Sequence, residues 1–110
     1  MASIFSLTEK RVAKMSRKAL KVWIETVVTR LGIPISESLD GDYGSGQYDA
    51  EVILAGDYEH VSISYDRGSY AVWAYSPYID YAYIEDGKGN LEEEIQRARD
   101  LTDPSNPRNK

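Results

Sequence analysis

Apolar residues recur at three- and four-residue steps through the first third of the chain. The repeat runs from Val12 to Leu31 without glycine or proline, and this spacing is typical of one buried stripe on an α-helix. Ser6-x-x-Glu9 has the form of a capping box, with Thr8 as an alternative cap, and Gly32 supplies a stop. We therefore predict one long N-terminal helix, whose stripe contains Val12, Met15, Ala19, Leu20, Val22, Trp23, Thr26, Val27 and Leu31.

The pattern changes after residue 47 to short segments in which apolar and polar residues alternate, as in half-buried strands. Turn signals separate the segments at Gly56-Asp57, at Asp66-Arg67-Gly68 and at Pro77. Residues 35–47 are rich in Ser, Asp and Gly and predict a loop that leads into the sheet. We predict four antiparallel strands in segments 48–55, 60–66, 69–76 and 78–85, and the third is apolar on both faces and therefore central.

A shorter helical pattern begins after Asn90, whose side chain is a candidate cap. Its first turn holds Glu92–Glu94, which suits the helix dipole, and its apolar stripe is Leu91, Ile95, Ala98 and Leu101. Residues 103–110 contain two prolines and no large apolar residue, so we expect a disordered tail. The elements predict one α+β domain over residues 1–102: a four-stranded antiparallel meander sheet with a long N-terminal helix and a short C-terminal helix packed on one face.

Charge is divided unevenly along the 110 residues. Residues 1–31 carry seven Lys and Arg and two Glu, a net charge of +5, whereas residues 32–96 carry a net charge of −12 and the whole chain −5. This field repels nucleic acid and attracts a partner with a basic surface, so association should slow as salt is added. With no cysteine, no signal peptide and no apolar run near the ~20 residues of a membrane span, we expect a cytoplasmic protein without disulfides or membrane contact.

Three sequence patterns are candidate chemical sites. His60 is the only histidine and has no thiol or oriented nucleophile beside it, which favours an ordinary surface or interface residue. Asp40, Asp42 and Glu51 match positions one, three and twelve of a calcium loop, but Ser45 stands where the turn requires glycine. Gly44-Ser45-Gly46 lacks the lysine and helix of a phosphate loop. We expect no catalytic residue, no metal and no cofactor, although a small hydrolase or a calcium-binding module remains an alternative.

Aromatic rings and carboxylates are combined in the strand region. All nine tyrosines lie between Tyr43 and Tyr83, together with Trp73 and several Asp and Glu residues. Tyr and Trp are enriched at interface hot spots, and carboxylates pair with Arg or Lys of a partner. About half of the rings have the alternative role of packing within the sheet. Because two helices cover only one sheet face, we predict that the other binds a protein through Asp49, Glu51, Tyr58, Glu59, Asp66, Trp73, Tyr75, Tyr78 and Asp80.

The chain resembles the small immunity proteins of bacterial toxin systems, including the group called TriTu. The resemblance spans residues 20–86 and lies in Trp23, in the helix exit Leu31-Gly32-Ile33 and in the meander VSISYDRGSYAVWAYSP. It implies a protein that binds and blocks one cognate toxin, often a nuclease, in the cytoplasm of the producing cell. It carries over no individual site residue. A phage-encoded inhibitor, such as an anti-CRISPR protein that mimics nucleic acid with its acidic surface, is the alternative. The basic face of the first helix is interpreted as solvated.

Overall fold

Five antiparallel strands form a single sheet in the order of the chain, with helices before and after it. The structure, a computed structural model, describes residues 6–40, 50–76 and 81–102. The helices are α1 (Glu9–Ala13), α2 (Arg17–Arg30) and α3 (Leu91–Thr102), and the strands are β1 (Ile35–Asp40), β2 (Ala50–Leu54), β3 (Val61–Asp66), β4 (Ser69–Ser76) and β5 (Tyr81–Asp86). The α+β class and the antiparallel meander are confirmed, whereas the strand count of four is wrong.

The additional strand is β1, in a segment where we predicted a loop. It pairs with β2 through Ser38 opposite Val52 and Asp40 opposite Ala50, and its register shifts between Ile35 and Glu37. The apolar alternation is weak because β1 is only partly covered: Ile35 and Leu39 are half-buried and Ser36–Ser38 are exposed. Polar residues on an edge strand also discourage pairing with another chain. The Ser and Asp content that indicated a loop is therefore also compatible with a protected sheet edge.

The predicted long N-terminal helix is also wrong, because Lys14–Ser16 interrupt it. Each part has its own cap: the Thr8 side chain accepts from the Arg11 N–H at 3.1 Å and the Ser16 side chain accepts from the Ala19 N–H at 3.1 Å. The interruption leaves a main-chain carbonyl available to the sheet, and the Gly68 N–H in the β3–β4 turn donates to the carbonyl of Met15 at 3.0 Å. The break therefore docks a sheet turn against the N-terminal helices.

This break changes the phase of the buried stripe. On α2 the buried residues are Leu20, Ile24, Val27 and Val28. Val22 is 57% exposed, and Ala19 and Thr26 are exposed as well. The predicted stripe assumes one helical period from α1 into α2, and the interruption breaks that period. Ile24 and Val28 were missed for this reason.

One hydrophobic core lies between the helices and a single face of the sheet. Helix α2 contacts β1–β3 and α3 contacts β3–β5. The core side chains of the sheet alternate along each strand with residues that point away from the helices. The core comprises Val12 of α1; Leu20, Ile24, Val27 and Val28 of α2; Ile33 before β1; Ala50, Val52, Leu54, Val61, Ile63, Tyr65, Tyr70, Val72 and Ala74 of the sheet; and Leu91, Ile95 and Ala98 of α3. The opposite face of the sheet has no helix over it in the described part of the chain.

A buried carboxylate anchors α3 to the sheet. Glu94 is 1% exposed, accepts a hydrogen bond from the Tyr70 hydroxyl and accepts another from the Lys88 N–H at 2.7 Å. The Tyr70 oxygen in turn accepts from the Gly89 N–H at 2.8 Å. Burial raises the pKa of the Glu94 carboxyl. Burial and the adjacent Glu94 carboxylate raise the pKa of the Tyr70 hydroxyl. Glu94 lies in the first turn of α3, as predicted, and its carboxylate also closes a buried polar network.

We expect Tyr70→Phe to lower the free energy of unfolding by about 2–3 kcal/mol, since it leaves a buried N–H and a buried carboxylate oxygen without this partner. Tyr83→Phe is the matched control. Tyr83 is half-buried and donates to Glu85 at 2.8 Å, and Glu85 keeps its ion pair with Arg97, so the expected loss is about 0.5–1 kcal/mol. Urea titration followed by circular dichroism measures both. Equal losses for the two variants would contradict the network.

Candidate protein-binding face

The sheet surface turned away from α2 and α3 is called the open face. Strand register places its side chains in rows that run across all five strands. One row contains Glu37, Ile53, Ser62, Trp73 and Ile84, and the next contains Leu39, Glu51, Ser64, Ala71 and Asp86. Residues that are far apart in sequence are thereby brought into direct cross-strand contact distance.

Large apolar side chains extend across the open face from β2 to β5. Tyr75 is 56% exposed and Ile84 is 54% exposed, while Trp73 and Ile53 are half-buried beside them. The indole N–H of Trp73 donates to the Ser64 hydroxyl at 2.8 Å, which holds the ring against the sheet. A contiguous apolar patch on an otherwise polar protein surface is typical of an interaction site.

Carboxylates border this apolar patch. Glu37 and Asp86 are exposed at the two edges of the sheet, and Glu51 is half-buried between them. Neither cross-strand row contains Lys or Arg. Asp66 lies at the end of β3 on the same side, and its carboxylate accepts from the Arg67 N–H at 2.7 Å. The open face therefore presents negative charge around a hydrophobic centre.

A shallow depression with a volume of 380 Å³ lies in the open face where β2, β3 and β4 meet. Its lining is Glu51, Ile53, Glu59, His60, Val61, Ser62 and Tyr75. Within the described residues, the buried Nε2 atom of His60 has no hydrogen-bond partner. The depression combines two carboxylates, an imidazole and an aromatic ring, and the described residues that line it include no Lys or Arg.

The structure brings together several of the predicted binding residues. Glu51, Trp73 and Tyr75 share the open face, Glu59 lines the depression, and Asp66 lies at the end of β3. The remaining predicted positions Asp49, Tyr78 and Asp80 lie outside the described residues.

Tyr58 does not join the open face. Its hydroxyl donates to the Gln96 side chain at 3.3 Å, and its ring lies 5.0 Å from the Arg99 guanidinium carbon, so it packs against α3. The predicted tight turn at Gly56-Asp57 is instead a 3₁₀ turn over Gly56–Tyr58, followed by two more turn residues. This longer connection turns the ring toward the helices.

Among the described residues, fewer tyrosines lie on the open face than the sequence predicted. Tyr65 and Tyr70 are buried in the core, and Tyr83 is half-buried on the helix side. Tyr75 is the described tyrosine whose side chain lies on the open face. Instead, Ile53 and Ile84 supply apolar area that the predicted site omitted. Strict alternation from Trp73 across the aligned strands would have located both.

On the opposite side of the molecule, the segment of α1 and α2 is basic. Lys10, Arg11, Lys14 and Lys18 are exposed on α1, in the break and on α2. Lys21 is half-buried and lies 4.0 Å from the Glu25 carboxylate. Positive charge is therefore concentrated on α1 and α2, whereas α3 on the same side of the sheet carries exposed Glu92, Glu93 and Asp100. An uneven charge distribution of this kind orients an approaching charged partner.

The described ranges contain no group of three His, Asp or Glu side chains that could hold a metal ion. The incomplete calcium-loop pattern of Asp40, Asp42 and Glu51 lies only partly inside these ranges, because Asp42 is outside the described residues. No helix in residues 6–40, 50–76 and 81–102 has the length and apolar content to cross a membrane.

Comparison with known proteins adds no relative: no family model, curated protein or solved structure matches this chain.

Proposed function

We propose that this chain is an immunity-type protein that binds a basic protein partner, a toxin of the nuclease kind, and neutralises it with the open face. The observation that supports this proposal is the uncovered row of Ile53, Trp73 and Ile84, which lies beside Glu51 and Asp86 with no Lys or Arg in either row. Large rings in a desolvated centre supply affinity, and surrounding carboxylates supply attraction and orientation.

The proposed mechanism is occlusion. A nuclease site is basic because it must hold phosphate, and its natural ligand is a polyanion with stacked rings. The open face offers the same two properties, carboxylates and aromatic surface, on a rigid sheet. A partner that seats its basic cleft on this face loses access to nucleic acid. The chain itself then needs no catalytic residue and no cofactor.

Co-expression with the products of neighbouring genes tests the proposal. We expect one neighbouring product to arrest growth alone, to be harmless when this chain is present, and to co-purify with it in a stable complex. Relief of arrest without a complex, or a complex that leaves the toxin active, would contradict immunity. A complex with a host nucleic-acid-binding defence enzyme instead would favour the phage-inhibitor alternative.

Two exposed apolar residues provide a matched pair of variants. Ile84→Lys places a positive charge on the open face, whereas Val22→Lys places one on the helix side at similar exposure, 54% against 57%. We expect Ile84→Lys to weaken the complex at least ~10-fold, since like charges then meet at the interface, and Val22→Lys to leave affinity unchanged. The measurement is surface plasmon resonance from about 50 to about 500 mM salt, over which wild-type association should slow. Equal effects of the two variants would place the contact elsewhere.

A further inference from the structure

The two edges of the sheet are protected to different degrees. Strand β1 has a register shift between Ile35 and Glu37, and its residues Ser36–Ser38 are exposed. Strand β5 pairs with β4 through all six of its residues without a register shift and contains neither Lys nor Pro. Ile84, near the middle of β5, is 54% exposed. Bulges, lysines and prolines keep a sheet edge from pairing, so β5 is the edge that remains open to another strand.

The hydrogen bonds fix the direction of the backbone groups of β5. The Gly87 N–H donates to the Tyr70 carbonyl at 2.8 Å, and hydrogen-bonded and non-hydrogen-bonded pairs alternate along an antiparallel ladder. Three residues before Gly87, the N–H and C=O groups of Ile84 therefore point away from β4. The same alternation turns the groups of Ala82 and Asp86 outward. No strand lies beyond β5 in the described part of the chain.

Strand β5 is complementary to itself in one antiparallel register. A two-fold axis at Ile84 places this residue opposite its own counterpart and places Ala82 opposite Asp86 of the second copy. All of these residues direct their backbone groups outward, so each pair exchanges two hydrogen bonds. Between them, Tyr83 lies opposite Glu85, and no two like charges are directly opposite each other. Moving the axis by one residue to Glu85 would set two carboxylates against each other, which is unfavourable.

The side chains of β5 favour a second copy as the occupant of this edge. In the register centred on Ile84, the two exposed isoleucines cover each other. The Glu85 carboxylate is already paired with Arg97 on the helix side, which reduces its repulsion of a second acidic chain. We infer that two copies of the chain form a symmetric dimer through β5, with the two-fold axis at Ile84. The dimer joins both open faces on the same side of one continuous sheet, and it does not depend on the proposed function.

Amide exchange tests the dimer on the purified chain alone. Analytical ultracentrifugation from about 5 to about 500 µM covers the range in which a small interface dissociates, and we expect the mass to rise from that of a monomer to that of a dimer. At the highest concentration the Ile84 amide should exchange at least ~10-fold more slowly than the Ser38 amide on the other edge. A monomer at every concentration, or a dimer in which both amides exchange equally fast, would overturn the inference.

Proline variants at the two edges form a matched pair, since an outward N–H can be replaced without loss of the intrachain ladder. Ile84→Pro removes the N–H at the axis from both copies, and the loss of two hydrogen bonds should raise the dimer Kd at least ~10-fold. Ser38→Pro is the control on β1 and should leave the dimer unchanged. The Ser38 N–H also points outward, because Ala55 donates to the Pro34 carbonyl at 2.9 Å, and Val52, opposite Ser38, therefore bonds toward β3.

Equal weakening of the dimer by the two proline variants would place the dimer contact elsewhere and overturn the inference. Amide spectra of each variant establish that it is folded, and the exchange measurement on the wild-type chain needs no variant. Protection of the Ile84 amide that appears only after a partner protein is added would also contradict the dimer, because a strand of that partner would then be the occupant.

Salt distinguishes the dimer from the proposed complex. Each copy carries a net charge of −5, so added salt should strengthen the dimer by screening the repulsion between copies, whereas it should slow association with a basic partner. A dimer that weakens as salt is added would contradict pairing through β5. A chain that is monomeric throughout yet still neutralises its partner would overturn the dimer and leave the proposed function in place.

Discussion

Replacement of Gly89 by alanine is expected to lower the free energy of unfolding by more than about 3 kcal/mol. Gly89 has φ of +101°, and a Cβ there would lie 2.0 Å from the carbonyl oxygen of Leu7. That oxygen belongs to the main chain and cannot rotate away like a flexible side chain. The close approach of Leu7 and Gly89 also holds the N-terminal segment in place, because the Leu7 N–H donates to the Gly89 carbonyl at 2.9 Å.

Gly32→Ala is the control for the backbone strain alone. Gly32 also has a positive φ, +77°, but a Cβ there meets nothing within 4 Å. We expect it to cost about 1–2 kcal/mol, the ordinary penalty for a left-handed residue with a side chain. Urea titration, with thermal melting as the second measurement, compares the two. Similar losses would show that the close approach of Leu7 to Gly89 does not hold the fold together.

Strand β4 contributes to the hydrophobic core on one side and to the open face on the other. Tyr70 faces inward, where it joins Gly89 and Glu94, and Trp73 and Tyr75 face outward on the same strand. Alternation makes one short segment both the centre of the core and the centre of the open face. A binding surface on such a strand is held in place before the partner arrives, which reduces the entropy lost on binding.

The sheet was easier to predict than the helices. Alternation in β2–β5 is strong because each strand has one face in the core, so the sequence signal and the packing coincide. In β1 the packing requirement is weaker, and composition alone indicated a loop. The helix break at Lys14–Ser16 has no glycine or proline. It depends on Ser16 acting as a cap and on the Gly68 turn binding the freed Met15 carbonyl, a tertiary contact that local periodicity does not contain.

For the candidate site, the uncovered sheet face could be predicted from the sequence, but several of the residues on it could not. That one sheet face would be left uncovered follows from having two helical segments, and Trp73, Tyr75 and Glu51 could be placed on it by alternation. Tyr58 could not, because its direction depends on a 3₁₀ turn. His60 was interpreted as an ordinary surface or interface residue, since the burial of its Nε2 atom depends on three strands meeting. Ile53 and Ile84 were not among the predicted binding residues, because their place on the open face depends on which sheet face the helices cover.

The chain has two tryptophans, and they lie on opposite sides of the sheet, which allows stability and binding to be separated. Trp23 on α2 packs edge-on against the Tyr70 ring with centroids 5.4 Å apart, whereas Trp73 lies on the open face. We expect Trp23→Ala to cost about 2–3 kcal/mol of stability and to leave partner affinity unchanged in the folded fraction.

Trp73→Ala is expected to do the reverse. Loss of a central aromatic anchor should weaken the complex by about 2–4 kcal/mol, roughly 30- to 1,000-fold in Kd. Its effect on stability should stay near 1 kcal/mol, the scale of a cross-strand pair. Calorimetric titration with the purified partner measures the loss of affinity, and urea unfolding measures the loss of stability.

In a Trp23→Phe background the remaining indole should shift its fluorescence to shorter wavelength on binding, because the partner removes water from it. An unshifted spectrum together with wild-type affinity in Trp73→Ala would exclude the open face as the contact, since no complex seated on Ile53 and Ile84 could leave the ring between them in water.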